Sequence, residues 1–347
     1  MNHPNESKHL APWKGAGLML SYWCSARCRF CYVCAGPQQT FWAEPQQLVR
    51  WWTGLQAIAR RDSRDAKIHL TGGDPFGRPD RLFETLQLAR RAGLPAPEKV
   101  ETNAFWAADE SITREHLLRL KELGVPLIVT DADVFHQEFV PFDNVRRLVT
   151  LGREILGETG VRVRWWDFYH QHESSGLDLT ALSEAELLDR QADALATGRD
   201  RLTGRAAILA AQFFEGKPAD AFDHQPCDKA ILHGKGVHVD PYGNIFPDVC
   251  CGLVLGNAVN EDIDAIHDWL AANGPTGPIF DALLSRGPCG LIDLATRYGW
   301  TPLPDGYLTK CQLCYHLRHH LVRADQCRKW LGPAECYAEP FTNPPHE

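Results

Sequence analysis

The sequence is poor in three things. It has no apolar run approaching the ~20 residues of a membrane-spanning helix, and its stretch Met1 to Leu20, polar and broken by Pro4, Pro12, Gly15 and Gly17, lacks the apolar centre of a secretory signal. Positive charge is also short. The chain sets 36 Lys and Arg against 44 Asp and Glu, a net charge of -8, which speaks against broad binding along a phosphate backbone. Cysteine is missing altogether from Ala35 to Pro226. What remains is an ordinary globular composition, 347 residues with 44% hydrophobic and 23% charged, enough for one large domain or a large domain with an appendage. The absences together point to a cytoplasmic protein without a membrane role, in which clustered cysteines serve as metal ligands or catalytic thiols more often than as disulfides.

There are 12 cysteines, and they are placed unevenly. Cys24, Cys28, Cys31 and Cys34 crowd the front; Cys227, Cys250, Cys251, Cys289, Cys311, Cys314, Cys327 and Cys336 occupy the last third. Two metal centres are the simplest reading. Between them the chain alternates strand-like runs, 17–23, 67–71, 99–102, 126–130 and 161–166, with stretches of helical period, 45–60, 79–91, 111–123 and 142–156. That alternation specifies parallel βαβ units, with 182–196 and 201–214 as further helices and a sixth strand left open. In such sheets chemistry gathers at the carboxyl ends of the strands. Here those ends carry Cys24 to Cys31, Gly72-Gly73-Asp74-Pro75, Thr102-Asn103, Asp131 to His136 and Asp167 to His172.

Cys24-x3-Cys28-x2-Cys31 puts three thiolates on one short loop, able to hold three irons of a cubane and leave the fourth iron open. Zinc with Cys34 as fourth ligand would use the same spacing. The motif, with Phe30 in its aromatic place, resembles the signature of the radical S-adenosylmethionine (radical SAM) family. So does Gly72-Gly73-Asp74-Pro75, similar to the family's GGEP motif with Asp for Glu, and so do Thr102-Asn103 and Asp131-Ala132-Asp133, the last with Asp where the family has Ser. The resemblance implies a [4Fe–4S] cluster on Cys24, Cys28 and Cys31 that binds S-adenosyl-L-methionine at its open iron. Reductive cleavage would yield a 5′-deoxyadenosyl radical that abstracts hydrogen from substrate, with flavodoxin or ferredoxin as reductant. Phe30 or Tyr32 would pack on adenine, Gly72, Gly73, Asp74 and Pro75 would approach the methionyl amine, Thr102 and Asn103 would complete the site, and Asp131 or Asp133 would bond the ribose. Asp74 either supplies charge or caps the turn.

The tail resembles the auxiliary-cluster extension called SPASM, or its shorter twitch form: Cys227, a hairpin over 236–247, the pair Cys250-Cys251, Leu255-Gly256-Asn257, a helix with Trp269, then Cys311-x2-Cys314. It departs from the full pattern, since Gly243 to Cys250 is longer than G-x4-C and no C-x5-C-x3-C follows Cys314. The expectation is one auxiliary iron–sulfur cluster on Cys227, Cys250 or Cys251, Cys311 and Cys314. A second would draw on Cys327, Cys336 and Cys289, and the alternative is a zinc ribbon-like site.

Other signals are weaker. His136 and Glu138 form a candidate acid/base pair. His170 and His172, at strand-like spacing, would share one side as a metal pair or else belong to a polar loop after the fifth strand, and Arg162 and Arg164 would aim at a carboxylate or make an ion pair. Trp51-Trp52 and Trp165-Trp166 read as packing, and the basic run Arg318 to Lys329 as a solvated helix face. No leader-binding module precedes Cys24, which weakens a peptide-modifying role.

The sequence therefore predicts an α/β fold, a partial (β/α)6 radical SAM barrel over 12–221 between short tails (1–11 and 341–347), followed by a small α+β SPASM- or twitch-like domain over 222–340. The expected activity is hydrogen abstraction from a peptide, protein or small metabolite, with net oxidation through the auxiliary cluster. Redox-neutral epimerisation, with a thiol such as Cys289 returning hydrogen, or rearrangement, and a non-catalytic zinc- or iron–sulfur-binding role are the alternatives. Nucleic acid is not an expected partner.

Overall fold

The computed structural model describes residues 10–341 apart from 177, 199–200, 235 and 249. The two expected tails therefore lie almost wholly outside the described residues. From β1 (Gly15–Met19) the chain runs through α1 (Pro45–Arg60), β2 (Lys67–Thr71), α2 (Pro79–Arg91), β3 (Lys99–Glu101), α3 (Glu110–Glu122), β4 (Ile128–Asp131), α4 (Phe142–Leu156), β5 (Val161–Arg164) and α5 (Trp166–Ser175). Local chemistry explains the boundaries. Pro45 opens α1 at a position where its missing N–H costs nothing. Asp109 caps α3 by accepting from the Ile112 N–H at 2.9 Å, and Gly157, at φ 96°, ends α4 in a conformation open to glycine. Along α1 the residues Leu48, Trp51, Trp52, Leu55 and Ile58 recur at helical spacing and are buried, so the tryptophan pair is core.

Helices α6 (Glu184–Ala196) and α7 (Arg205–Phe213) follow, and the last third contains α8 (Asp228–Ile231), β6 (Val237–Val239), β7 (Asn244–Pro247), β8 (Gly256–Asn257), α9 (Ile263–Asn273), α10 (Pro278–Ser285), α11 (Ile292–Thr296) and α12 (Lys310–Arg323). All eight strands belong to one sheet of order β5-β4-β3-β2-β1-β6-β7-β8. Strands β1 to β5 pair in parallel, as do β1 and β6, while β7 and β8 add on antiparallel. Among the described residues no strand follows β5 before the hairpin, so the sixth parallel strand of a (β/α)6 array is not found in that place. The sixth parallel neighbour is β6, hydrogen-bonded to β1. The hairpin thus continues the sheet instead of forming one of its own.

Gly17 marks that junction. Its register partners are His69 on β2 and His238 on β6, and a Cβ there would lie 2.6 Å from His69 Nε2 and collide with the His238 ring. The two imidazoles occupy the space a side chain would need. No helix among the described residues is long and apolar enough to cross a membrane.

Candidate functional site

The chain between β1 and α1 is held close to the sheet by its backbone. Leu20 N–H donates to Thr71 O at 2.9 Å, Cys24 N–H to Gly36 O at 3.2 Å, Gly36 N–H to Tyr22 O at 3.1 Å and Ala43 N–H to Leu20 O at 2.9 Å. The closed loop carries Cys24 and Cys28, both buried, and Cys31, half-buried. Burial, and then neighbouring charge, from Asp74 at Cys24 and from Cys24 and Cys31 at Cys28, raises both thiols. Without a metal they are therefore protonated, and a cluster would have to displace those protons. From behind, Arg205 at the start of α7 donates from Nε to Cys28 O at 2.7 Å and from its terminal nitrogen to Ala35 O at 2.6 Å. These bonds fix the curvature of the loop.

The end of β2 lies directly on this loop. Gly73 N–H donates to Ser21 O and Asp74 N–H to Trp23 O, both at 2.8 Å. A Cβ on Gly72, which sits at φ 139°, would be 2.5 Å from Ser21 O, and one on Gly73 would fall inside the Trp23 carbonyl. The glycines are thus required for strand and cysteine loop to meet, and both also line the cavity described below. Asp74 and Pro75 do not line it. Asp74 is buried and accepts from Phe76 N–H at 3.0 Å, Thr102 O–H at 2.8 Å and Asn103 N–H at 2.8 Å, so it ties the ends of β2 and β3 together. Burial pushes its carboxyl up to about 6 against the pull of these donors. Of its two expected roles, capping is the one its contacts serve. Asn103 in turn presents its amide to Cys24 Sγ at 3.5 Å and Ser25 Oγ at 3.2 Å.

A cavity of about 530 Å³ adjoins the loop, lined by Cys24, Cys28, Phe30, Cys31, Tyr32, Gly72, Gly73, Thr102, Asn103, Asp131 and His136 among others. Its volume is that of a small-molecule site. Phe30 stacks on Phe135 at 4.5 Å and meets the His136 ring edge-on. Asp133 is fully buried and lies off the cavity wall, where it accepts from the N–H groups of Phe135 and His136 and holds His136 Nδ1 at 2.7 Å. Burial opposes charge on His136, but the Asp133 and Asp131 carboxylates prevail and raise it to about 9. It stands in the cavity as a cation with Nε2 free of that bond. Burial raises Asp131, with Arg164 and His136 pulling the other way. Glu138 points elsewhere: Gln191 Nε2 donates to it at 2.8 Å and Arg29 lies 3.5 Å away. The expected acid/base pair is therefore not formed, because the turn after β4 sends residues 136 and 138 to different sides.

The cavity also contains residues that the motifs did not indicate: His69, Lys99, Glu101, Trp165, Arg201, Arg205, His238 and Asp248. Glu101 is held by Lys99 at 2.7 Å and Arg164 at 2.6 Å, and Arg164 also reaches Asp131 at 3.4 Å. Arg164 is thus an ion-pair residue. Alternation along β2 (Lys67, His69, Thr71) and β3 (Lys99, Glu101) is the signal that could have found this polar wall, since every second residue of a strand faces the same side. Trp165, at φ 58°, ends β5 in a left-handed conformation and α5 starts at once. His170 and His172 are therefore helical, two residues apart on different faces, and make no metal pair. Trp165 lines the cavity, and Trp166 is partly exposed and stacks on Tyr169 at 4.9 Å, so neither is a core residue.

The arrangement fits a cluster held by three thiolates with an open position towards a small organic cofactor. The radical SAM superfamily model matches residues 18–155, which include the cysteine loop and the ends of β1 to β4. This stretch is similar to radical SAM domains. A solved structure described as "Native anSMEcpe with bound AdoMet and Cp18Cys peptide" aligns over 90% of this chain and 97% of its own, at 12% identity and a TM-score of 0.42. No curated protein matches the chain.

Beyond the matched stretch, four cysteines converge from three segments. Cys227 precedes α8, Cys250 follows β7, and Cys311 and Cys314 occupy the first turn of α12. After burial, the charges of Cys314, Cys250 and Cys311 act on Cys227, pushed up to about 12. Burial likewise pushes Cys250 up to about 12, with Arg318 pulling it down and Cys314 and Cys311 raising it. Cys251 faces away: its sulfur lies 3.0 Å from Cys336, which also contacts the Tyr22 hydroxyl at 3.3 Å, and Cys34 lies nearby against Cys336 O at 3.5 Å. Cys327 is apart from both groups, and its thiol is raised by burial alone. Cys289 donates to Ala219 O at 3.1 Å, away from the cavity. A second cluster on Cys327, Cys336 and Cys289 thus has no common site. Among the described residues the group of three possible ligands with donor atoms all within 4.8 Å is Asp131, Asp133 and His136, and no cysteine trio joins it.

Proposed function

We propose that the protein is a radical SAM enzyme that takes a hydrogen atom from its substrate and passes the resulting electron to an auxiliary iron–sulfur centre. Cys24, Cys28 and Cys31 would hold the first [4Fe–4S] cluster, with S-adenosyl-L-methionine in the cavity, and Cys227, Cys250, Cys311 and Cys314, within the region 222–340, would hold the second. When bound, the first cluster and S-adenosyl-L-methionine supply the radical chemistry, given an electron by a flavodoxin- or ferredoxin-like donor. The protein's own part is to position and protect. Asn103 donates to the Cys24 sulfur, the kind of bond that tunes a cluster. His136 offers a fixed cation to the carboxylate or ribose of the cofactor, and Phe30 and Tyr32 give apolar faces to adenine. Glu101, neutralised by Lys99 and Arg164, keeps the deep wall polar without presenting a base.

The observation that carries the reading is three thiols on one loop, two of them buried, facing a cavity at the carboxyl ends of parallel strands within the stretch that the radical SAM model matches. Net oxidation has its own support. Arg201 lines the cavity, and its charge also acts on Cys250 and Cys311, so the rear cysteines lie near the cavity mouth. The redox-neutral alternative needs a thiol to return hydrogen, and Cys289 is not placed to do so. The substrate class is a peptide, a protein segment or a small metabolite able to reach that mouth.

The test is anaerobic reconstitution followed by dithionite and S-adenosyl-L-methionine. Release of 5′-deoxyadenosine that disappears in Cys24→Ala supports the proposal. Iron-loaded wild-type protein that releases none would overturn it in favour of a non-catalytic metal-binding role.

A further inference from the structure

The first turn of α12 carries Cys311 and Cys314, and Arg318 follows one turn after Cys314 on the same face. Arg318 is 2% exposed, as deeply buried as its apolar neighbours Leu317 and Leu321, so the basic tail is not simply a solvated face. One terminal nitrogen donates to Cys251 O at 2.9 Å and to the Tyr337 hydroxyl at 2.5 Å. Both acceptors are neutral. Nε has no partner, and the guanidinium lies 5.9 Å from the Tyr315 ring and 5.6 Å from the Tyr337 ring. A guanidinium does not shed its proton, and a buried cation without an anion is strongly unfavourable. The groups near enough to compensate it are the sulfurs of Cys314 and Cys250 and the Tyr337 phenol. Burial keeps that phenol protonated. A cysteine sulfur offers an anion only as a thiolate, the form in which it binds a metal. Arg205, beside the front loop, differs in having a carboxylate, Glu339, at 3.6 Å.

We propose that Arg318 is the built-in counter-ion of the auxiliary iron–sulfur centre and raises its reduction potential, making the centre an acceptor for an electron from the substrate. The inference rests on the reading that Cys227, Cys250, Cys311 and Cys314 hold such a centre. Four thiolates and their cluster are a net anion, and they supply the charge that Arg318 lacks in the metal-free chain. Reduction adds one electron beside the guanidinium, so the cation favours the reduced form. Cluster potentials respond to charge and hydrogen bonding of this kind. Arg318 touches no reacting atom and acts through the centre, so it is a positioning residue.

The experiment is a redox titration of the auxiliary centre, followed by electron paramagnetic resonance, in reconstituted wild type, Arg318→Gln and Arg318→Lys, with iron counted in each. Arg318→Gln should shift the reduction equilibrium at least tenfold towards the oxidised form, 59 mV for a one-electron couple, at unchanged iron content, and Arg318→Lys should recover most of the shift. An unchanged potential in fully loaded Arg318→Gln would overturn the proposal and leave Arg318 a packing residue. Where Arg318→Gln fails to load, Arg318→Lys decides: loading supports the role of charge, and equal failure overturns it. Cys311→Ala separates this from the underlying reading, because an undiminished iron count there would remove the auxiliary centre itself.

Discussion

The front and rear cysteine sites are built in opposite ways. Cys24, Cys28 and Cys31 lie on one loop whose carbonyls and N–H groups are bound to β2, to the turn after it and to Arg205, so the chain shapes the site before any metal arrives. The rear four come from three separated segments, linked by Lys310 Nζ to the carbonyls of Gln225 and Pro226 and by the buried Arg318 to Cys251 O. The difference implies that the front site is preorganised, whereas the rear site depends on its metal for cohesion. The largest effect that would break this comparison is in Cys24→Ala. It should abolish 5′-deoxyadenosine release and remove about four irons per chain, leaving the rear centre loaded. Cys311→Ala should remove the other four and leave release without substrate nearly intact. If either substitution emptied both sites, they would not be independent. Chelation of iron should, by the same logic, speed hydrogen exchange at 225–231 and 309–314 more than at 20–36.

The contrast also decides what a sequence can show. The helices Pro45–Arg60, Pro79–Arg91 and Phe142–Leu156 and the strand Lys67–Thr71 coincide with their expected spans, because period, caps and glycine stops are local signals. The front thiols were legible for the same reason. Cys250 and Cys251 were not separable, since they are adjacent in a turn after β7 and only the position of α12 decides which one is used. The pairing of β6 with β1 is equally non-local. At His170 and His172 the strand ended early, at a left-handed Trp165 that no glycine or proline announces. Glu138 was misassigned because two residues of separation mean one side in a strand and opposite sides in a turn. The polar wall of His69, Glu101 and His238 was written in the alternation of short strands, but it matches no motif.

The second effect in size concerns the close approach at the front. Gly73→Ala places a methyl in the Trp23 carbonyl, and backbone gives way less easily than a side chain. The expected loss is about 3 kcal/mol of stability, with poor iron loading at the front and normal loading at the rear. Denaturant unfolding with iron analysis would check it. Stability and loading equal to wild type would show that the two segments are not locked together.

The third is a matter of pH. His136 is raised from 6.5 to about 9 by Asp133 and Asp131, so its contribution is complete below about pH 6.5 and is lost as pH rises through 9. At 1.36 kcal/mol per unit the increment is roughly 3 kcal/mol. Asp133→Asn should remove most of it, flattening the fall in stability between pH 6.5 and 9 and weakening S-adenosyl-L-methionine binding at neutral pH. The rear site, which contains no such pair, should bind iron equally well in the variant. An unaltered pH profile would mean that His136 is not held as a cation.

The smallest effect belongs to Glu138. Its carboxylate meets Gln191 and Arg29 outside the cavity, and a partly exposed pair of this kind contributes about 0–1 kcal/mol. Glu138→Gln keeps the shape of the side chain and can still bond Gln191 through its carbonyl. Cleavage of S-adenosyl-L-methionine should therefore stay within about twofold of wild type, a rate factor equivalent to less than half a kcal/mol. A loss of a hundredfold or more would place Glu138 in the chemistry after all, through a movement of the turn that brings it beside His136. The front site would then be less fixed by its own backbone than the comparison with the rear implies.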